Sequence, residues 1–504
     1  MRDRSKEMPR TVSQTPAATS PSFKIPRRAF AAGVAALLTA CGGGGGGDTT
    51  TPPPVTPSAI TVDASSTGPT IAADQLGGNF SSYASIDITD PVHLQDAQTL
   101  GVHLVRWPGG SASDTYHWQN NSSCSNNAGV NDTFANFLNH VVTPGNLDFA
   151  ITLDYGTNVT CDGPGDPAEA GAWVAAAKTA GYTGKHWTVG NEVYGSWETD
   201  LHPTPHDAAT YVAAMNATNG YYAAIKAADP TAQVGAVVSG FDTAWDNYVV
   251  ANAKYDFLEI HYYAQNDSES DTGLLAAATN TSTGLASYFT GLRAVLAAQG
   301  KPANTPIFLG EFNSESDYNQ LTTQSTSIVN GLYAGLALAE VMSANVPMAT
   351  WWSIDTEGRH PSTATNVYGF QSYGTYSAID SGAIYPAGRA YQLAGQFAVP
   401  GNHLLTTAVD ASAPNVRAYA ATQGTGYALF LFNLGQTAAA SVNVSVGNAT
   451  RTSFTASSLT YGKAQYDDSR SGTWTAPVAQ SLGTVGSSVQ LSLPAWSMTV
   501  VKLQ

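Results

Sequence analysis

Two glutamates in this 504-residue chain stand at the ends of short apolar runs: Glu192 after His186–Asn191, and Glu311 closing Pro306–Glu311. Carboxylates so placed can flank a scissile glycosidic bond. One stays protonated and gives its proton to the leaving oxygen, while the other is ionised and attacks the anomeric carbon. A lone Glu after a strand is more often a solvated loop residue. Glu192 differs because Trp187, Gly190, Asn191, Gly195 and Trp197 surround it in sequence. Aromatic faces stack on sugars, and glycines let backbone approach. Three further clusters carry chemical side chains: Arg106-Trp107-Pro108-Gly109-Gly110, His261-Tyr262-Tyr263 and Trp351-Trp352-Ser353.

These clusters need a scaffold that gathers strand ends. Strand-like runs occur at Leu76–Ser82, His103–Trp107, Asp148–Asp154, His186–Asn191, Gln233–Ser239, Phe257–Tyr262, Pro306–Glu311 and Met348–Ile354. Helical patterns lie between them, among them Asp132–Val142, Pro167–Ala180, Pro205–Ala228, Leu285–Gln299 and Thr326–Asn345. This alternation predicts an α/β fold with a closed (β/α)8 TIM barrel, whose catalytic side chains sit at the carboxyl ends of the strands. Three βα units of roughly 40 residues each span the stretch from Glu192 to Glu311, which places them on strands four and seven, nearly opposite one another. No phosphate-binding glycine fingerprint follows the first strand, which argues against a dinucleotide fold.

With the clusters in this order, the sequence resembles a clan A glycoside hydrolase, and most of all the α-L-arabinofuranosidases of glycoside hydrolase family 51. Trp187–Trp197 matches closely. Arg106–Gly110 is similar to the family's Arg-Tyr-Pro-Gly-Gly, His261–Tyr263 to its His-x-Tyr, and Glu311-Phe312-Asn313 to its Glu-Trp-Asn. The resemblance implies Glu192 as acid/base, Glu311 as nucleophile and Asn191 on the sugar 2-hydroxyl. It also implies Tyr263 donating to Glu311, with Arg106 supporting that carboxylate and His261 beside them. Arg106 as a structural ion pair and Tyr263 as a packing residue are the alternatives. Ser82 stands where the family has a sugar-binding Glu, Ser111 stands for its Asn, and strand eight is unlike the family's. There Trp351 or Trp352 serves either as a sugar platform or as core. The departures leave the sugar open: a β-xylosidase, xylanase or glucuronidase of the same clan is second to an arabinofuranosidase. A surface carbohydrate-binding lipoprotein without turnover is the rival of another class.

The ends read differently. Arg27-Arg28 precedes the apolar run Ala29–Ala40, and Leu38-Thr39-Ala40-Cys41 resembles a lipobox. Residues 1–41 are therefore expected to export the chain to the bacterial cell envelope, with Cys41 lipidated as the sole membrane anchor; a plain secretory peptide is the alternative. Residues 42–58, opening on six glycines, form a tether. Residues 59–74 hold a strand that can join a C-terminal antiparallel β-sandwich at 389–504, and the barrel takes 75–388. Cys124 and Cys161 are a candidate disulfide, with two buried thiols as the other reading. Charged residues are only 12% and the net charge is −16. That balance argues against nucleic acid and suits a neutral polysaccharide or oligosaccharide partner. No metal or cofactor is called for: His117, His202 and His360 form no recognisable ligand set. Oligomeric state is not encoded in any motif.

Overall fold

A computed structural model describes residues 56–83, 86–265, 270–356, 359–361, 373–380, 382–469 and 476–504. The expected signal peptide, Cys41 and most of the glycine-rich tether lie outside these residues, as does the side chain of His360.

Eight parallel strands close into a barrel: Gly77–Asn79, Leu104–Trp107, Asp148–Leu153, His186–Val189, Gln233–Val237, Phe257–Tyr263, Ile307–Asn313 and Met348–Trp351. Six fall inside the run expected for them, the sixth strand ends one residue beyond its run at Tyr263, and the seventh two residues beyond its run at Asn313. Side chains alternate along these strands, so every second residue enters the barrel. Leu104, Ala150, Phe257, Phe308 and Met348 form a dry lower layer. Two residues further along, the same strands contribute Arg106, Thr152, Glu259, Gly310 and Thr350, all but the glycine buried polar groups. The barrel therefore changes from apolar to polar within one step of the pleat, toward the end where the clusters gather. Gly310 is required there, because a Cβ would lie 2.2 Å from Glu259 Oε1.

Helix starts follow capping chemistry. Asp166, Asp207, Asp242 and Ser327 each accept hydrogen bonds from backbone N–H groups of the helices they precede. Two expected helices are altered. Pro205–Ala228 is two helices, Ala208–Asn216 and Tyr221–Ala228, parted at Thr218-Asn219-Gly220. Gly220 passes so close to Ala214 O that a Cβ would sit 2.2 Å from it. Asp132–Val142 is a short helix, Phe134–Phe137, that widens into a π-turn over Leu138–Val142. Pro144 lies just beyond, without the N–H an α-turn needs.

The expected barrel boundary at 388 falls inside a helix, Pro386–Phe397. Its glycines, Gly388 and Gly395, mimic turn sequence. Yet Ala387, Ala390, Tyr391, Ala394 and Phe397 are buried at helical spacing, so the barrel runs to about Phe397. Beyond it lies one mixed sheet of nine strands rather than two purely antiparallel ones. The N-terminal strand Ser58–Asp63 pairs antiparallel with Leu404–Val409 and parallel with Ala440–Gly447. It comes from the far end of the chain, so no hairpin dictates its direction. Leu404–Val409 turns the corner: its first two residues pair with Val416–Gln423 and its last four with Ser58–Asp63. The two arms enclose a core that includes Ile60, Leu429, Val444 and Leu491. Gly426–Asn433 is buried throughout. Leu429 and Leu431 face that core, while Phe430 and Phe432 join the barrel's helices.

Cys124 and Cys161 are bonded, with Cα atoms 5.4 Å apart. They tie the loop after the second barrel strand to the loop after the third. The bond spans 37 residues, for which loop-closure entropy predicts a contribution of about 3–4 kcal/mol. Peptide mapping after alkylation without reductant should find neither cysteine labelled. The Cys124→Ser/Cys161→Ser protein should show a matching drop in urea-unfolding free energy; two readily labelled thiols would contradict the bond.

Candidate active site

Arg106 stands one residue before the end of the second barrel strand, with its side chain wholly buried. A guanidinium in that position must be paired, since an isolated buried charge is very costly. Its Nη1 donates to Glu311 Oε1 at 2.9 Å and to Asn79 Oδ1 at 3.0 Å, and its Nη2 to Asn191 Oδ1 at 2.8 Å. Its Nε lies 2.9 Å from Glu259 Oε1. One side chain thus joins the first, second, sixth and seventh strands and the turn after the fourth.

A second column rises on the sixth strand. Glu259 and His261 are two apart and so both point inward. His261 Nε2 lies 3.0 Å from Glu259 Oε1, and its Nδ1 lies 2.9 Å from Glu192 Oε1. Burial pushes the imidazole down, but the carboxylates of Glu311, Glu192 and Glu259 overcome it and hold His261 at about 10. It is an imidazolium that donates from both nitrogens. Burial likewise pushes the Glu192 carboxyl up, and the His261 contact together with the Trp197 N–H brings it net below the ordinary carboxylate value. Tyr263 donates to Glu311 Oε2 at 2.6 Å. An oxygen of Glu192, an oxygen of Glu311 and a ring nitrogen of His261 all lie within 4.8 Å of one another.

The turn after the fourth strand aims Glu192. Gly190 has φ +80°, and Glu192 itself has φ +40°, a region L-residues rarely occupy. Such conformations cluster at functional sites, where surrounding contacts hold them. Here Gly195 N donates to Glu192 O, and Trp197 Nε1 donates to Glu192 Oε2 at 2.7 Å. Gly195 lets the indole fold back, because a Cβ would sit 2.3 Å from its ring.

The structure thus brings Arg106, Asn191, Glu192, His261, Tyr263 and Glu311 together. It separates the two tryptophans. Trp351 is 1% exposed, packs against Phe312 at 5.1 Å between ring centroids and donates to Tyr376 O. It is a core residue and no sugar platform: as the last residue of strand eight it alternates out of the barrel into the helix layer. Trp352 packs with Leu321, Tyr376 and Tyr263 above the barrel mouth, covering Gly109 and Gly110. Ser82 is buried, and Ser111 donates to Glu198.

Sequence reasoning missed Glu259, whose signal was an acid in phase with His261 inside an apolar strand. It also missed Glu198, next to Trp197, and Asp114. Glu198 accepts from Asn191 Nδ2 at 2.8 Å and from Ser111 Oγ at 3.0 Å. Burial, with Glu192 nearby, lifts it to about 8, so it is largely neutral at pH 7. Asp114 accepts from the Asn191 backbone N–H. Asn191 is therefore gripped by Arg106, Asp114 and Glu198.

Glu192, His261 and Glu311 are close enough to surround an ion. However, a protonated His261 offers no lone pair, and Glu311 is engaged by Arg106 and Tyr263. His117 faces Cys124 and Cys161, but those sulfurs are tied to each other and are not thiolates. The arrangement is suited to proton transfer and nucleophilic attack by carboxylates.

No protein-family model and no curated protein matches the sequence. Solved structures match the fold at low identity. The arabinose complex of an α-L-arabinofuranosidase from Thermotoga maritima aligns with TM-score 0.68 and 17% identity, over 88% of this chain and 99% of that one. The GH51 α-L-arabinofuranosidase of Thermotoga petrophila aligns at 0.65 and 17%, over 89% and 100%. A glycoside hydrolase family 44 xyloglucanase of Paenibacillus polymyxa aligns at 0.63 and 12%, over 89% and 99%. The chain has the barrel-and-sheet fold of these clan A enzymes across nearly its whole described length.

The imidazolium has a consequence for stability. A cation whose pKa rises from 6.5 to about 10 on folding stabilises the fold in full below about pH 6.5. That contribution declines as pH rises and is gone above about 10. Urea unfolding of the wild type and His261→Gln should therefore differ most at pH 6 and progressively less toward pH 10. A gap that widens with pH would show that His261 is buried neutral.

Proposed function

We propose that this protein is a retaining glycoside hydrolase acting on plant-type polysaccharide or its side chains, with an α-L-arabinofuranoside as first substrate. The observation that carries this reading is the Glu192–Glu311 pair. An oxygen of each lies within 4.8 Å of an oxygen of the other, which supports the close carboxyl spacing of about 5–5.5 Å used for double displacement over the roughly 6.5–9.5 Å that admits a water between them. The arabinose in the Thermotoga maritima structure of the same fold supports the sugar.

Glu311, held by Arg106 and Tyr263, attacks the anomeric carbon as the bond to the leaving oxygen breaks. Glu192 gives that oxygen its proton. In the free protein this proton rests on His261 Nδ1, one hydrogen bond from Glu192. A sugar that covers the pair and excludes water disfavours the separated charges and returns the proton to Glu192. In the second step Glu192 takes a proton from water, whose oxygen displaces Glu311 from the anomeric carbon. Asn191, fixed from three sides, presents its amide to the sugar 2-hydroxyl. Ser82 and Ser111 alter the contacts that define the sugar, which keeps a β-xylosidase, xylanase or glucuronidase as second choice. A binding protein without turnover would have no use for an acid held at positive φ and a nucleophile held by a buried cation.

A panel of aryl glycosides identifies the sugar, and NMR of the first-formed anomer reads the stereochemistry. Glu311→Ala should abolish hydrolysis, and azide should restore turnover as a glycosyl azide of inverted configuration. Glu192→Ala should lose about 10²–10⁴-fold on poor leaving groups. It should keep the first step on good ones and be rescued by azide with retention. Inverted product from the wild type, or near-normal activity in both variants, would overturn the mechanism.

We also propose that the chain is an exported lipoprotein of the bacterial envelope, anchored through Cys41. The basic, apolar and Leu-Thr-Ala-Cys segments in that order support this. Expressed in a bacterium that processes lipoproteins, the protein should fractionate with membranes, and Cys41→Ser should release or misprocess it. Equal solubility of the two forms would remove the anchor.

A further inference from the structure

Large exposed aromatic side chains call for an explanation, because each leaves substantial apolar area in water. One is bonded to the acid/base carboxylate, and another stands on the next loop against the same tyrosine. Trp197 is 55% exposed and Phe241 is 61% exposed. Tyr194 stands edge-on between them, with ring centroids 6.0 Å from Trp197 and 5.4 Å from Phe241 and interplanar angles of 80° and 90°. The three rings come from two loops, those after the fourth and fifth barrel strands.

Neither loop is loosely held. Trp197 is fixed by its bond to Glu192 Oε2 and by Gly195 beneath its ring. Phe241 sits in a turn where Ser239 N and Gly240 N donate to the Asp246 carboxylate, and where Phe241 N and Asp242 N donate to Ser239 Oγ. Gly240 has φ +77°, and a Cβ there would meet Ile260 and Tyr288 at 2.7 Å. The apolar surface is thus presented on rigid backbone, so a ligand would bind it with little loss of conformational freedom.

We infer that Tyr194, Trp197 and Phe241 form the subsite for the sugar on the leaving-group side of the scissile bond, with the outer rings stacking on the sugar and the Tyr194 hydroxyl donating to it. This deepens the hydrolase reading and rests on it. The leaving oxygen must meet Glu192 in the hydrolytic step. A solvent-facing surface hydrogen-bonded to that carboxylate therefore faces the departing group. Among the described residues, the Tyr194 hydroxyl has no hydrogen-bond partner. Burial, and then the charges of Glu192 and Glu311, push its phenol well up, so it stays a donor. Paired aromatic faces with one polar tip are the usual lining of a carbohydrate site. The preferred substrate is accordingly one whose leaving group is itself a sugar, an oligosaccharide or polysaccharide chain.

Substrate pairs test this. The glycone selected by the aryl-glycoside panel is supplied as its glycosyl fluoride, whose leaving group is one atom, and as an arabinoxylan-type oligosaccharide carrying that glycone. For Phe241→Ala the ratio of kcat/KM for oligosaccharide to that for fluoride should fall at least tenfold, and for Tyr194→Phe about threefold or more. Ratios within twofold of wild type for both variants overturn the subsite. A binding arm needs no turnover. Glu311→Ala protein titrated calorimetrically with the oligosaccharide should lose at least fivefold in affinity when Phe241→Ala is added; an unchanged affinity again overturns it. Failure of the wild type to turn over any fluoride or oligosaccharide would sink the hydrolase reading, while the binding arm still reads the platform. A dimer in sedimentation that Phe241→Ala dissolves would assign the surface to a second copy of the chain and overturn the proposal. Phe241 supports no core, so the variants should melt as the wild type does.

Discussion

The guanidinium of Arg106 is a full charge placed inside a barrel that burial would otherwise keep apolar, and most of the site's geometry follows from the need to neutralise it. Glu259 and Glu311 supply the counter-charges, and Asn79 and Asn191 accept from Nη1 and Nη2. A planar guanidinium fixes the directions of its partners as well as their number. Lysine would offer a point charge and would not hold four groups in one plane. Glu311, the group proposed to attack carbon, is thereby oriented by a side chain rooted two strand positions above the barrel's dry floor.

The second cation, His261, is a consequence of the first arrangement. Glu259 is shared between Arg106 and His261. With Glu192 and Glu311 also near, an imidazole there is held protonated despite burial. Two cations and three carboxylates then form one network, in which each deprotonation changes the energy of the others. The proton that the proposed acid/base needs is then shared by the network rather than held on Glu192 alone. Gly310 belongs to the same design, because only the absence of a Cβ leaves room for Glu259.

The outer parts of the fold serve the barrel in simpler ways. The nine-stranded sheet lends one face of Gly426–Asn433 to the helix Ile328–Ser343, where Gly335 lets Phe432 and Met498 approach. Tyr419 donates to Glu340 across the same seam. The helix behind the strand that carries Glu311 is therefore buried along nearly its whole length. A helix clamped on both sides has little freedom to shift the strand end that carries Glu311.

Much of this protein could be read without coordinates. The eight strands were visible because a buried parallel strand is a short apolar run bounded by polar residues, which is a local pattern. Glu192 and Glu311 were visible because they stand at the ends of such runs, Glu192 with glycine and tryptophan around it and Glu311 between Gly310 and Phe312. Local pattern fails where the determining contact is distant. The helix Pro386–Phe397 reads as turn because it carries two glycines, of which Gly388 is required by its close approach to Ala378 O. The break at Gly220 depends on an approach to Ala214 that no helical periodicity records. Glu259 and Glu198 carry only a weak sequence signal, because an acid becomes informative only when its burial and partners are known. The sequence by itself determined the order of elements and singled out Glu192 and Glu311 as candidates, since both are written in neighbouring residues. Tertiary structure alone decided that Trp351 is core while Trp197 and Phe241 face solvent, and that the proton rests on His261. Those outcomes are set by closure of the barrel, which brings residues 106, 192, 259, 261 and 311 into one low-dielectric volume where charge and distance, not sequence spacing, fix their states.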